Sequence, residues 1–213
     1  MIRETANDIL GWTAADIVNR FGEIPIARVC MDPAPGTAKE ADVIVLRERS
    51  RRLFELADGT LVEKTVGTFE AYLASRLLIL LGQHVFENKL GIVLGADGML
   101  RLSPGLIRIP DVSFISKDRV PNGIDPNEAV ATVVPNLAVE IISRGNTTRE
   151  MERKLEEYFQ FGAEAVWYVY PRDQAIHVFT SPEHCQIATD TLAGHNVLPE
   201  FELDVAALFA RPF

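Results

Sequence analysis

The run Leu137-Ala138-Val139-Glu140-Ile141-Ile142 is apolar except for one carboxylate. A stretch that uniform reads as a strand buried on both faces, at home inside a sheet covered by helices. Glu140 is then flanked by buried positions, where an unpaired carboxylate is costly unless a cation or hydrogen-bond donor compensates it. That makes Glu140 a site candidate. Upstream, Ile109-Pro110-Asp111-Val112 sets a second acid at the edge of an extended segment, although a Pro-Asp pair is also a common turn device. Downstream, Thr147 and Glu150 form a Thr-x-x-Glu capping box, which predicts a helix over 147–162 directly after the strand.

That helix points back at the strand. At about 100° per residue, Lys154 falls inside the apolar arc, between Tyr158 and Phe161, and away from the polar side with Arg153 and Gln160. Its ammonium can reach toward Glu140, or its stem can pack while the head escapes to water. A longer helix, predicted from Thr68 to about Val85, also turns charges inward: Glu70 falls between Leu77 and Leu81, and Arg76 lies near the same arc. Glu70 could equally be a first-turn acid that complements the helix dipole, and Arg76 could pair with a buried acid. Two carboxylates and a lysine drawn from a bend, a strand and a helix are the parts needed to hold a divalent cation and steady a phosphate.

Working outward, Thr13 to Phe21 predicts a short helix opened by a Thr cap and closed by Gly22, and 32–40 reads as an irregular connection rich in turn formers. Residues 53–56 and 60–64 read as a hairpin around Asp58-Gly59. Residues 91–94 and 99–102 read as a second hairpin around Asp97-Gly98, followed by one extended segment, 106–116, that contains Asp111. Residues 117–135 form a long loop. Beyond the helix, 165–170 and 175–179 form a hairpin across Pro171-Arg172-Asp173-Gln174, with a closing strand near 199–203 and a short helix at 205–209. The order predicts an α/β or α+β fold with a mixed sheet flanked by helices, divided into an N-terminal extension, 1–50, and a single domain, 51–213.

The net charge of −9 argues against a surface built for indiscriminate attraction to nucleic acid, while leaving room for a local basic groove. Arg144, Arg149, Arg153 and Lys154 cluster close to the acidic strand, and Arg47, Arg49, Arg51 and Arg52 read as solvated charge. Cys30 and Cys185 suggest neither a disulfide framework nor a zinc site. The four histidines are scattered and read as surface or packing residues. The charged N-terminus and the shortness of the apolar runs, Leu77 to Leu81 among them, predict a soluble, cytoplasmic protein with no membrane span. No dinucleotide fingerprint, phosphate loop or nucleophile elbow is present.

Asp111, Glu140 and Lys154 together resemble the PD-(D/E)XK nuclease superfamily. From about Leu53 to Phe209 the chain more closely resembles the Uma-type restriction endonuclease family, through Phe54 to Gly59, the helix around Glu70, Pro110-Asp111-Val112, Pro135 to Ser143, Lys154 with Tyr158, and Trp167 to Pro171. The resemblance implies a restriction-endonuclease-like fold, and Mg²⁺ or Mn²⁺ held by Asp111, Glu140 and the carbonyl of Ile141. It implies that Lys154 orients or deprotonates a water, or stabilises the transition state, and that Glu70 supports a water or Arg76. DNA is the implied substrate, and two sites for two strands suggest a homodimer. The superfamily's lysine usually lies two residues after the acid, where this chain has Ile142, so Lys154 must supply the ammonium from the helix. Asn136 stands where the family often has Asp. The alternative is a catalytically inactive nuclease fold that binds nucleic acid or regulates.

Overall fold

The computed structural model describes residues 12–65 and 67–210, so residues 1–11 of the predicted extension lie outside the described residues. The helices are α1 (Ala14–Phe21), α2 (Glu40–Ser50), α3 (Thr68–Glu87), α4 (Thr148–Gln160) and α5 (Val205–Phe209). The strands are β1 (Phe54–Ala57), β2 (Thr60–Glu63), β3 (Gly91–Leu94), β4 (Leu100–Ser103), β5 (Leu106–Arg108) and β6 (Val112–Ser116), followed by β7 (Leu137–Ile141), β8 (Ala165–Tyr170), β9 (Ala175–Ser181), β10 (His184–Ala188), β11 (Thr191–Ala193) and β12 (Glu202–Asp204). They form an α+β fold with a six-stranded sheet ordered β10-β9-β8-β7-β6-β3, a four-stranded sheet ordered β2-β1-β5-β4, and the pair β11-β12. In the six-stranded sheet β7 and β8 run parallel, joined by α4, while β6 and β9 pair antiparallel on either side of them.

Alternation along the central strands sorts their residues between two helices. Leu137, Val139 and Ile141 of β7 pack with Leu73, Leu77 and Leu81 of α3, and Ala138 packs with Met151, Leu155 and Tyr158 of α4. Glu140 shares the parity of Ala138 and so falls on the α4 side. The same rule sends Trp167 of β8 toward α3 and Tyr168 toward α4. Leu73, Leu77 and Leu81 are completely buried, and each such side chain contributes roughly 1.5–3 kcal/mol as an upper estimate. α4 begins as its sequence predicts: the Thr147 hydroxyl accepts from the Glu150 amide and the Glu150 side chain returns to the Thr147 backbone.

Two sequence expectations fail at the junction of the sheets. Residues 91–94 and 99–102 are not a hairpin, because β3 pairs with β6 in one sheet and β4 with β5 in the other. The segment 106–116 is not one strand either: it leaves the four-stranded sheet after Arg108 and enters the six-stranded sheet at Val112. A turn dipeptide such as Asp97-Gly98 permits a reversal but does not choose the long-range partner. α2 also went unpredicted, since Val43-Ile44-Val45-Leu46 are contiguous rather than spaced along one helical face, and only Val43 is fully buried. Likewise β10, whose residues are almost all exposed, carries no alternation to read.

α1 docks on α4. Ile17 and Phe21 are buried with Met151, Leu155 and Tyr158, and the Thr147 hydroxyl donates to the Phe21 carbonyl at 3.1 Å. Both cysteines are free thiols. Among the described residues no helix is long and apolar enough to cross a membrane.

Candidate active site

Lys154 does not snorkel. Its ammonium is buried and lies 3.0 Å from Glu140 Oε1 and 3.0 Å from Glu55 Oε1. The fully buried Tyr158 hydroxyl, one turn further along α4, donates to the same Glu140 oxygen at 2.8 Å. Glu55, in β1, also accepts from the Ile109 amide at 3.0 Å and from Arg108 Nη1 at 2.9 Å. Arg108 completes the cluster on Glu157 of α4, with Nε donating at 2.7 Å and Nη2 bonding the same carboxylate oxygen. Among the described residues no buried side-chain nitrogen or oxygen lacks a partner. That completeness matters, because a buried ionic network with one member missing leaves an uncompensated charge.

The electrostatics follow from this crowding. Burial alone would push the Lys154 ammonium down, but Glu140 and Glu55 outweigh it and hold its pKa above the ordinary lysine value. Burial would raise the Glu55 carboxyl, yet Lys154 and Arg108 bring it down to about 2. For Glu140 burial dominates, and Glu55 and Asp111 add to it against the pull of Lys154, so its pKa is raised. Tyr158 is pushed well above its usual value by burial and by Glu140 and Glu55, and so remains a neutral donor.

Asp111 lies at the bend before β6 and is half-buried. Its Oδ2 accepts from the Ile141 amide at 2.7 Å and its Oδ1 faces Lys64 Nζ at 2.9 Å. Lys64 is itself held by the carbonyls of Ile109, at 2.6 Å, and Ala96, at 3.2 Å. A cavity of about 10 Å³ is lined by Asp111, Glu140, Ile141, Lys64 and Lys154, enough for about one water-sized occupant. Asp111, Glu140, Ile141 and Lys154 therefore converge. Glu70 does not join them: it lines an adjoining groove, with its carboxylate set against the backbone of Gly67, where a Cβ would meet it at 1.9 Å. Nor does Arg76 pair with a buried acid among the described residues, because its Nη1 donates to Tyr72 and to the Ala210 carbonyl. Asn136 anchors the sheet, accepting from the Ser116 amide and donating to Glu164.

Sequence reasoning missed Glu55, Arg108 and Lys64. The signal used for Glu140 was present for two of them: Leu53-Phe54-Glu55-Leu56 and Leu106-Ile107-Arg108-Ile109 each set one charge inside an apolar strand. An acid and a base so placed, in strands that prove to be neighbours, predict one another as partners. Lys64 carries no such mark, since it follows the strand and gains its role from the loop's path.

A mixed sheet whose parallel central pair is bridged by a helix, with a bend acid, a strand acid and a helix lysine gathered at one cavity, defines a restriction-endonuclease-like α+β fold. The chain belongs to the Uma2 family, described as "Putative restriction endonuclease", which it matches over residues 31–206. Its fold is similar to the crystal structure of a putative nuclease belonging to DUF820 from Anabaena variabilis, with a TM-score of 0.66, 14% identity, and 75% of this chain and 91% of that chain covered. No curated protein matches the chain significantly.

Proposed function

We propose that the chain is a metal-dependent endonuclease that hydrolyses DNA phosphodiester bonds, with Asp111 and Glu140 as the acidic ligands of Mg²⁺ or Mn²⁺ and the Ile141 carbonyl as a further oxygen. The observation that carries this reading is the 3.0 Å contact between Lys154 and Glu140 at a cavity that Asp111 also lines. The donor set fits such an ion. Its oxygens are hard, and Glu140 Oε2 accepts no hydrogen bond among the described residues. Mg²⁺ is commonly held by one or two carboxylates together with waters and substrate phosphate. Bound there, it would lower the pKa of a water and offset charge on the scissile phosphate.

The chain's own residues then divide the remaining work. Lys154, kept protonated by two acids, orients the attacking water and stabilises the pentacovalent phosphate rather than accepting a proton. Glu55 and Arg108 fix the rotamer of Lys154, and Tyr158 fixes that of Glu140. Lys64 neutralises Asp111 and must yield or share that carboxylate. Glu70 orients water entering from the groove. The reading extends to a cytoplasmic homodimer, in which two symmetric sites suit two antiparallel strands.

Calorimetric titration with Mg²⁺ beside a cleavage assay tests the reading. Wild type is expected to bind the ion and cut, and Asp111→Asn and Glu140→Gln to lose both while circular dichroism stays unchanged. Wild-type protein that takes up no divalent ion would overturn it.

A further inference from the structure

A concavity of about 1080 Å³ opens beside the proposed catalytic cavity and shares Thr65 and Asn146 with it. Arg144, in the turn after β7, and Arg172, in the β8–β9 turn, both line it and are exposed, and among the described residues neither enters an ion pair or a side-chain hydrogen bond. Phe69, 47% exposed, presents an aromatic ring there. Tyr72 backs it in a stacked arrangement at 6.1 Å, so the ring is braced from behind. Glu70 and Asp173 share the walls, so the groove is not uniformly positive. It is a track with a cation on each of two loops and an apolar platform, the combination that grips a backbone and stacks a base. Its volume, about 1080 Å³, lies just above the usual small-ligand range, which suits a few nucleotides of one strand and falls far short of a duplex.

We propose that this groove takes a short unpaired segment of DNA and leads its phosphate to the cavity, Arg144 and Arg172 contacting phosphates and Phe69 stacking a base. The inference rests on the nuclease reading and narrows its substrate to a single-stranded or frayed stretch. Stacking tolerates any base because every base has a π-face, so the groove itself confers no sequence preference.

The test is fluorescence anisotropy with the full chain in EDTA, where no cleavage occurs, using a labelled oligothymidylate and a labelled duplex of equal length across a salt series. The strand is expected to bind more tightly than the duplex. Phe69→Ala is expected to weaken strand binding roughly 5- to 150-fold. Arg144→Ala and Arg172→Ala should each flatten the slope of log K against log salt by about 0.7. All three side chains are substantially exposed, so melting temperatures should hold, and any variant that melts early is replaced by Phe69→Leu or Arg→Gln at the same position. Equal or tighter binding of the duplex, absence of binding to either probe, or folded variants that bind like wild type would overturn the assignment. Strand binding that depends on these residues in a protein that never cleaves with Mg²⁺ would sustain the groove and defeat the catalytic reading instead.

Discussion

The six-stranded sheet has two unlike faces made from the same strands. Toward α3 it presents Leu137, Val139, Ile141, Trp167 and Val169 against Leu73, Leu77 and Leu81, with no charge among them. Toward α4 the alternate residues include Glu140, and the helix answers with Lys154, Glu157 and Tyr158, all buried. The first face is held by non-directional burial, which tolerates repacking as long as volume is kept. The second is held by pairings in which each group's ionisation depends on its neighbours. Under the proposed function the two faces have separate tasks, so changes on one should alter stability alone, and changes on the other should alter stability and chemistry together.

The sharpest way to break this contrast is Lys154→Ala. It leaves Glu140 and Glu55 buried without their ammonium, and should lower cleavage on the order of 10²–10³-fold while costing about 3–5 kcal/mol of stability, read from kcat and a denaturant midpoint. Leu77→Ala, on the dry face, should cost about 2–5 kcal/mol in the same denaturation with kcat of the folded protein unchanged; a loss of kcat there would erase the division. Tyr158→Phe, which removes one hydrogen bond to a buried carboxylate, should cost about 1.5–3 kcal/mol and shift the pH dependence of cleavage. Glu55 sharpens the contrast through acid. Its carboxyl is held at about 2 against an ordinary 4.5, so the stability it confers is present above pH 4.5 and is lost as pH falls toward 2. Acid unfolding followed by fluorescence should show that loss, and Glu55→Gln should flatten it. The smallest effect is expected at the rim: Arg20→Ala removes an exposed pair with Asp58 and should change stability by about 0–1 kcal/mol.

The dry face and the centre of the charged one were legible in the sequence for one reason. Both are local patterns: the apolar run with Glu140, the capping box at Thr147, and the helical arc that holds Lys154 are each contained in a single element. What escaped was decided by pairing between distant elements. The switch between sheets at Ile109 to Asp111, the bond from Glu55 to Lys154, and the place of Lys64 over Asp111 depend on which strand neighbours which. Glu70 marks the limit of the helical-arc argument, because an angle on a helix does not say which concavity a side chain reaches, and Glu70 lines the groove wall and not the cavity.

The docking of α1 on α4 has a practical side. Phe21 lies beneath the Arg153 guanidinium at 4.8 Å, and Arg153 holds both Asp58 and Glu157 at 3.0 and 2.7 Å. Trimming the first fifty residues would therefore strip the cover from the helix that delivers Lys154, and a shortened chain should come out sticky and sluggish. Changes confined to α1 would thus reach Lys154 from outside, without touching any residue that lines its cavity.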